Sequence, residues 1–192
     1  MEEVFVNKVA NSGLITFNLE EYFPRGERKY IDIKDILFMG MVLKEKDFRD
    51  WVKSHDWMQY KDCFVAIGCS VDAIVPTWAY MLMSAKLSGI ALEVVYGDLH
   101  ALEAVLWRNA LSSVDVQPFL DGKIVVKGCG DLPVTAAAYA EITRILTPIA
   151  KSIMYGEPCS TVPVFKAKDR KSTRPELQSL RHLVCRLLLE KK

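Results

Sequence analysis

"CFVAIGCSVDAIVPTWAYMLMSAKL" (residues 63–87) is the stretch that decides the fold. Its first six residues form an apolar run typical of a buried strand, and residues 72–87 follow as a helix. The same order returns twice, as strand 90–97 with helix 98–111 and as strand 122–128 with helix 133–146. Strands that are apolar on both faces and alternate with helices predict an α/β fold, with a mostly parallel sheet and helices on both of its faces.

The segments around this core carry weaker signals. Residues 1–28 are rich in turn formers and predict an irregular lead-in with one strand around Leu14 to Phe17. The remaining segments are predicted as follows: a short strand at "KYIDI" (29–33), a strand or buried helix at "ILFMGMVL" (36–43), a helix at 44–55, and no regular pattern from Pro148 to Lys166. Asp98 stands where it would cap the helix that follows it.

The chain length and the charge distribution predict one domain with an appendage. The chain has 192 residues and a formal net charge of +1, but residues 166–192 carry nine Lys or Arg against three Asp or Glu. We therefore expect a single α/β domain over residues 1–166, and a basic linker with a C-terminal helix over 167–192. The near-neutral whole argues against nucleic-acid binding as the main function of the fold.

Two strand-to-helix junctions resemble each other. The first is "VAIGCSVDAIVPTWAY" (65–80) and the second is "VVKGCGDLPVTAAAY" (125–139). Each has an apolar strand, Gly-Cys, an Asp two or three residues later, a Pro near the helix start and a Tyr ten or eleven residues after the Cys. The resemblance predicts near-duplicated βα units, with Cys69 and Cys129 at corresponding places.

The position of these two cysteines suggests a site. Ligands of open parallel sheets bind beyond the carboxyl ends of the strands, and a thiol just ahead of a helix N-terminus is favoured as thiolate. Cys159, in the Gly- and Pro-rich "YGEPCSTVPV" (155–164), lies in a rigid loop that could cover the same crevice. Three thiolates would suit zinc or an iron–sulfur cluster.

Other side chains are weaker candidates for this site. Asp72, Asp131 and His55 are reserve metal ligands, although their positions favour helix capping for the two aspartates and a capping or surface role for the histidine. Trp78, Tyr80 and Tyr139 are expected in the core or in a pocket wall. Cys63 and Cys185 are expected to be packing residues, because free cysteines are often small buried hydrophobes.

Several classes of protein are disfavoured. The chain has no uninterrupted apolar stretch of about 18 residues and no apolar core of the signal-peptide type near its start, which predicts a cytoplasmic protein without a membrane span. In a reducing compartment the five cysteines are free thiols, ligands or nucleophiles rather than disulfides. No Gly-x-Gly-x-x-Gly, P-loop, His-Glu-x-x-His or Gly-x-Ser-x-Gly motif occurs, which disfavours nucleotide-binding, metalloprotease and serine-hydrolase functions.

Five segments resemble a known family. They are "NKVANSGLITFNLEEYFP" (7–24), "LKEKDFRDWVKSHDW" (43–57), "CSVDAIVPTWAYML" (69–82), "KGCGDLPV" (127–134) and "SIMYGEPCSTVPVFK" (152–166). The chain is similar over residues 5–166 to the uncharacterised bacterial family DUF2480. The resemblance implies a small cytoplasmic bacterial protein and, through neighbouring genes for sulfur mobilisation and iron–sulfur assembly, a protein partner in that pathway. The basic tail departs from the family pattern.

Three functions therefore remain open at the level of the sequence. The leading hypothesis is a metal- or iron–sulfur-binding protein with Cys69, Cys129 and Cys159 as ligands, linked to cluster assembly or to a small cluster-dependent enzyme. The second is an enzyme in which Cys129 or Cys159 is a nucleophile or a persulfide carrier. The third is a binding or scaffold module without chemistry, in which the cysteines are packing residues.

Overall fold

The computed structural model describes residues 13–128 and 130–167. The strands are β1 (Leu14–Asn18), β2 (Arg28–Asp32), β3 (Phe64–Gly68), β4 (Glu93–Tyr96), β5 (Lys123–Lys127), β6 (Ser152–Glu157) and β7 (Ser160–Lys166). The α-helices are α1 (Glu45–Ser54), α2 (Thr77–Leu87), α3 (Leu99–Ser112) and α4 (Ala136–Leu146). The predicted strands around residues 14–17, 29–33, 63–68, 90–97 and 122–128 are confirmed, each within a few residues.

The strands form two sheets, and both are mostly parallel. The first sheet has the order β2-β3-β4 and is parallel throughout. The second has the order β1-β5-β6-β7, in which only β7 is antiparallel to its neighbour. The predicted α/β class is confirmed. The sequence pattern did not show that the strands divide between two sheets, because periodicity describes a strand but not its neighbours.

Helix α3 joins the two sheets. Leu102 and Leu106 pack on Ala66 of the first sheet. Farther along the same helix, Trp107 and Leu111 belong to the core that α4 and the second sheet share. The opposite face of the first sheet packs against α1 and α2. The first sheet therefore has helices on both faces, as predicted, and buried apolar residues hold the successive layers together.

The duplication is confirmed, and it extends well beyond the two junctions. Phe64 of β3 pairs with Glu93 of β4, and Lys123 of β5 pairs with Ser152 of β6. The number of residues from Phe64 to Lys123 is the same as the number from Glu93 to Ser152, so the two strand pairs have the same register. We call this number of residues the repeat offset. We call the segment from α1 to β4 repeat 1, and the segment from α3 to β6 repeat 2. β2 and β1 add a parallel strand to repeat 1 and repeat 2, respectively.

Local hydrogen bonds recur at the repeat offset. The Asp56 carboxylate accepts the Met58 amide at 3.0 Å, and the Asp115 carboxylate accepts the Gln117 amide at 3.0 Å. Just before β3 and β5, Asp62 and Asp121 adopt positive φ angles of 58° and 52°. Because few residues other than glycine tolerate this conformation, and Asp is among the more tolerant, the two halves share their turns as well as their strands.

The repeat offset corrects the alignment of the cysteines. In the strand register, Cys69 corresponds to Gly128 and not to Cys129, because the two Gly-Cys dipeptides are one position farther apart than the repeat offset. The two thiols therefore do not occupy equivalent positions. Cys129 itself lies outside the described residues.

The segment 36–43, predicted as a strand or buried helix, is neither. After a 3₁₀ turn that ends at Ile36, the chain reverses through Met39 and Gly40, both with positive φ. The reversal exposes Met39 to 75% and Met41 to 60% of their full surface. A patch of exposed apolar side chains of this kind is unusual for a chain with no binding partner.

The end of the domain and two helix starts also differ from the predictions. The segment after Pro148, predicted to be irregular, forms the β6–β7 hairpin. α2 and α4 begin at Thr77 and Ala136, several residues later than predicted. The predicted cap Asp98 is confirmed, because its carboxylate accepts the Ala101 amide at 2.8 Å. The predicted helix at 167–192 lies outside the described residues.

Candidate ligand site at the carboxyl edge of the first sheet

Asp32 and Ser70 connect the ends of β2 and β3. The Asp32 carboxylate accepts the Ser70 amide at 3.1 Å and the Lys34 amide at 3.1 Å. The Lys34 ammonium lies 3.2 Å from the other carboxylate oxygen. Burial alone raises the pKa of Asp32, but hydrogen bonds from Ser70 and Lys34 outweigh it, and the pKa lies below its ordinary value. The ionised carboxylate therefore fixes the two strand ends relative to each other.

Tyrosine side chains surround the same edge. The rings of Tyr80 on α2 and Tyr96 on β4 meet edge-on, with centroids 4.8 Å apart. Burial raises the pKa of Tyr80, and the neighbouring Tyr96 and Cys69 add to the effect. The pKa of Tyr30 is raised by burial and then by the Asp32 carboxylate and Cys69. The phenols of Tyr30 and Tyr80 therefore stay neutral at physiological pH and can donate or accept hydrogen bonds.

A cavity opens beside these tyrosines. Its volume is about 790 Å³, and we call it the upstream cavity. It is lined by Ile67, Ala73, Val75, Thr77, Tyr80, Met81, Ser84 and Tyr96. The lining is mainly apolar with a few hydroxyl groups, and it lies at the carboxyl ends of β3 and β4. Both the size and the composition are typical of small-ligand sites.

Repeat 2 has a cavity at the corresponding place. This downstream cavity has a volume of about 330 Å³. Five pairs of lining residues correspond at the repeat offset: Ile67 and Val126, Tyr80 and Tyr139, Met81 and Ala140, Ser84 and Thr143, and Tyr96 and Tyr155. The rings of Tyr139 and Tyr155 also meet edge-on, with centroids 5.3 Å apart. The duplicated fold therefore builds the same cavity twice.

β7 accounts for a visible difference between the two cavities. It lies antiparallel beside β6, and its Val164 lines the downstream cavity. In the described part of the chain, no strand lies beside the outer edge of β4, the counterpart of β6. At the place that corresponds to Val164, no described strand closes the upstream cavity. The upstream cavity is the larger of the two.

The two predicted thiol ligands that the structure describes follow strands of different sheets. Cys69 is half-buried just beyond β3, and its thiol donates to the Val71 carbonyl at 3.4 Å. Cys159 is exposed in the tight turn between β6 and β7, in the other sheet. Among the described residues, no three His, Cys, Asp or Glu side chains lie close enough together to hold a metal ion.

The reserve ligands lie in other surroundings. Asp72 and Asp131 are exposed in the loops that precede α2 and α4. The predicted capping role is wrong for both, because Pro76 and Thr135 occupy the N-cap positions. The two aspartates correspond to each other at the repeat offset, so their shared place reflects the duplicated loop.

His55 lies at the other end of the first sheet. It follows α1 just before the turn that leads into β3, and its ring nitrogen lies 3.0 Å from the Tyr60 hydroxyl. The ring packs among Trp51, Trp57 and Tyr60, and burial lowers its pKa. β3, a five-residue strand about 16 Å long, runs between the turn that follows His55 and Cys69.

The remaining described cysteine is a packing residue. Cys63 is 4% exposed in the core of the first sheet, and the described cysteines are all free thiols.

None of the described helices is both long enough and apolar enough to cross a membrane.

Comparison with known proteins places the chain in a family. A family model described as "Protein of unknown function (DUF2480)" matches residues 3–167. The chain belongs to the DUF2480 family. No curated protein and no solved structure matches this DUF2480 chain. The family model covers both repeats, both cavities and the β6–β7 hairpin, and it ends where the described residues end.

Sequence reasoning found part of the site of the DUF2480 chain. Tyr80 and Tyr139 were expected in the core or in a pocket wall, and both line cavities. The sequence analysis missed Tyr30 and Tyr96. A comparison of the sequence with itself at the repeat offset would have paired Tyr96 with Tyr155 and so pointed to the second tyrosine of each repeat.

Proposed function

We propose that this DUF2480 protein is a binding module whose ligand occupies the upstream cavity. The proposal rests on the observation that the two repeats build the same cavity from corresponding residues. The upstream cavity is the larger of the two and has no described strand at its outer side. A fold that builds a cavity twice, and lines one copy with a strand that the other copy lacks in the described chain, supports a binding role for the more open copy.

The lining indicates what the ligand is like. Ile67, Val75 and Met81 offer apolar surface, while the hydroxyls of Thr77 and Tyr96 offer a few hydrogen bonds. None of the described side chains that line the cavity is charged. We therefore propose a mainly apolar, uncharged ligand group, because burying a charge without a partner costs several kcal/mol or more.

The polar groups nearest the cavity support binding rather than a reaction. The Asp32 carboxylate is held by Ser70 and Lys34, and the Asp98 carboxylate caps α3. Carboxylates that are fixed in this way hold the strand ends and the helix in place. A general base would instead need to reach a proton of the substrate.

Titration with the neutral dye Nile red tests this proposal. We expect its fluorescence to rise on binding to the full chain and to saturate. Ser84→Trp should fill the upstream cavity and abolish the rise, whereas Thr143→Trp, at the matching position of repeat 2, should retain it. Circular dichroism checks that both variants are folded. Equal loss in both variants, or no saturable binding by the folded wild-type chain, would contradict the proposal.

The three-cysteine metal centre is a second proposal. It is supported by the location of Cys69 at the carboxyl end of β3, where ligands of parallel sheets bind. Cys129 and Cys159 would complete a set of thiolates for zinc or an iron–sulfur cluster, and the protein partner would belong to a sulfur or iron–sulfur pathway. Anaerobic purification followed by measurement of zinc, iron and sulfide tests it.

The metal proposal makes a distinct prediction for the cysteine variants. Cys69→Ser and Cys159→Ser should each lower the bound metal several-fold, and Cys63→Ser, in the packed core, should leave it unchanged. Metal-free wild-type protein, with folding unaffected by replacement of all three proposed ligands, would rule the centre out.

A further inference from the structure

The outer edge of β4 differs from the corresponding edge in repeat 2. β6 pairs on one side with β5 and on the other with β7, whereas β4 pairs with β3 and has no second neighbour among the described residues. In the described part of the chain, the backbone N–H and C=O groups along this side of β4 are therefore open to another extended chain. Helix α2 flanks this edge, and the upstream cavity opens beside it.

β4 lacks two of the features that protect an edge strand, a proline and a bulge. β7, the edge of the second sheet, contains Pro163 and pairs with β6 through an irregular register next to Met154. Proline and bulges of this kind discourage pairing with further strands. β4 has the sequence "EVVY" (93–96), with neither proline nor bulge. Its edge is suited to accept a strand.

Apolar side chains at this edge are exposed. Leu92 is 54% exposed, Tyr96 69% and Met81 67%. At the corresponding positions in repeat 2, Leu92 is replaced by Lys151 and Met81 by Ala140. Repeat 1 therefore carries larger apolar side chains at an edge that is open in the described chain, which is typical of a binding surface.

The second sheet shows what such an edge holds. In the β6–β7 pair, Val162 lies opposite Tyr155, Val164 lines the downstream cavity, and Lys166 lies opposite Ser152. The residue of β4 that corresponds to Ser152 is Glu93. A strand placed beside β4 as β7 is placed beside β6 would set a basic residue opposite Glu93, and a cross-strand pair of opposite charges stabilises a sheet.

We propose that β4 binds an extended peptide segment of a partner protein, antiparallel, with two branched apolar side chains at alternate positions and a basic residue opposite Glu93. One apolar side chain occupies the upstream cavity, as Val164 lines the downstream one. The inference rests on the proposed binding function and names its ligand class. Main-chain hydrogen bonds supply affinity in this mode of recognition, and the side-chain pocket supplies selectivity.

The test uses a labelled peptide with the β7 sequence, "STVPVFK" (160–166), and the full chain. Fluorescence anisotropy should show saturable binding, and the unlabelled peptide should displace Nile red. Replacing the second valine of the peptide by aspartate should weaken binding about tenfold to a hundredfold, because an apolar side chain at the cavity is exchanged for a charged one. A peptide with alternate backbone amides methylated keeps its side chains but should lose binding, because it cannot pair with the edge.

A charge exchange tests the register. Glu93→Lys should weaken binding of the parent peptide about twofold to fivefold, and a peptide with glutamate in place of the lysine should regain that factor on the Glu93→Lys chain. Leu92→Lys, which copies Lys151 of repeat 2, should weaken binding of the parent peptide without changing the fold. Ser84→Trp should abolish peptide binding, and Thr143→Trp should retain it.

The outcomes separate this inference from the proposed function. Saturable Nile red binding without peptide binding overturns the strand inference and leaves the binding function in place. Loss of both overturns both. Peptide binding that Ser84→Trp leaves unchanged overturns the inference, because the site is then elsewhere. A dimer in light scattering that Leu92→Lys dissociates makes the occupant the β4 of a second copy and also overturns it.

Discussion

Tyr80 and Tyr96 meet edge-on above the upstream cavity, with ring centroids 4.8 Å apart and ring planes inclined by 73°. The arrangement recurs in repeat 2 between Tyr139 and Tyr155, with ring planes inclined by 66°. Edge-to-face contact of this kind stabilises a pair of aromatic rings by about 0.5–1.5 kcal/mol beyond the burial of their area. The two pairs hold a helix against the neighbouring strand in each repeat, and this contact forms one wall of each cavity.

Asp32→Asn should destabilise the fold in a pH-dependent way. The pKa of Asp32 is lowered in the folded chain, so its stabilising effect is present above the unfolded value of about 3.9 and is lost as the pH falls through the lower folded value. We expect a loss of about 1 kcal/mol near neutral pH, by analogy with other lost caps, and a much smaller loss near pH 2. Urea unfolding at the two pH values measures it.

Asn18 is the matched control for Asp32. It is the last residue of β1, as Asp32 is the last residue of β2, and its amide oxygen accepts the Glu20 amide at 3.3 Å. The Asn side chain carries no charge, although its amide also donates to the exposed Glu21 carboxylate at 3.2 Å, so the effect of Asn18→Ala should depend less on pH than that of Asp32→Asn. A pH-independent effect of Asp32→Asn would contradict the role assigned to the ionised carboxylate.

His55 should make the fold sensitive to mild acid. Burial lowers its pKa in the folded chain, so the unfolded chain takes up a proton at higher pH than the folded chain does. The stability should therefore fall as the pH drops below about 6.5. His55→Gln should reduce this dependence between pH 7 and 5.5, as measured by thermal unfolding. An unchanged slope in the variant would show that other groups cause it.

The raised pKa values of Tyr30 and Tyr80 should reduce stability in alkali. A folded pKa above the unfolded value of about 10 means that stability is fully present below pH 10 and is lost as the pH rises through the folded value. Tyr30→Phe and Tyr80→Phe should each lessen that loss, as measured by urea unfolding at pH 9 and pH 11. If both variants lose stability as steeply as the wild type does, folding does not raise the pKa values of the two phenols.

Gly68→Ala should disturb the carboxyl edge of β3. A β-carbon at this position would lie 2.9 Å from the Gly97 carbonyl oxygen and 2.9 Å from the Tyr30 hydroxyl. Because the carbonyl belongs to the backbone, relief requires a movement of the β3 and β4 ends, and the expected cost is about 1–3 kcal/mol. Thermal unfolding measures it. Gly89→Ala, in open space, is a control for glycine replacement outside the packed edge, although its positive φ of 78° adds a cost of its own.

The alternation of strands and helices was predictable because it depends on local periodicity. The apolar run at 64–68 and the cap at Asp98 have local causes, and both are as predicted. The hairpin after Pro148 was missed because Gly156 and Pro163 disfavour an ordinary strand. Gly156 adopts a φ of 116° in β6, and Pro163 lies in an edge strand, where a missing N–H costs little.

The site was only partly predictable, because it depends on which strands become neighbours. Gly-Cys was the most conspicuous repeated dipeptide, yet the register shows that its second copy is displaced, so Cys69 corresponds to Gly128. Each tyrosine pair recurs at the repeat offset, but its two members lie on different elements, one on a helix and one on a strand. The exposed turn at Met39 and Gly40 differs from the predicted strand or buried helix because composition alone cannot distinguish a core segment from an exposed apolar one.

Amide NMR of the isotope-labelled chain during titration with Nile red tests the central claim most directly. The account predicts that the amide signals of Ala73, Ser84 and Tyr96 shift together and saturate with the dye, while those of Thr143 and Tyr155 stay in place. Shifts confined to the exposed turn around Met39, or equal shifts in both repeats, would contradict the assignment of the upstream cavity as the binding site.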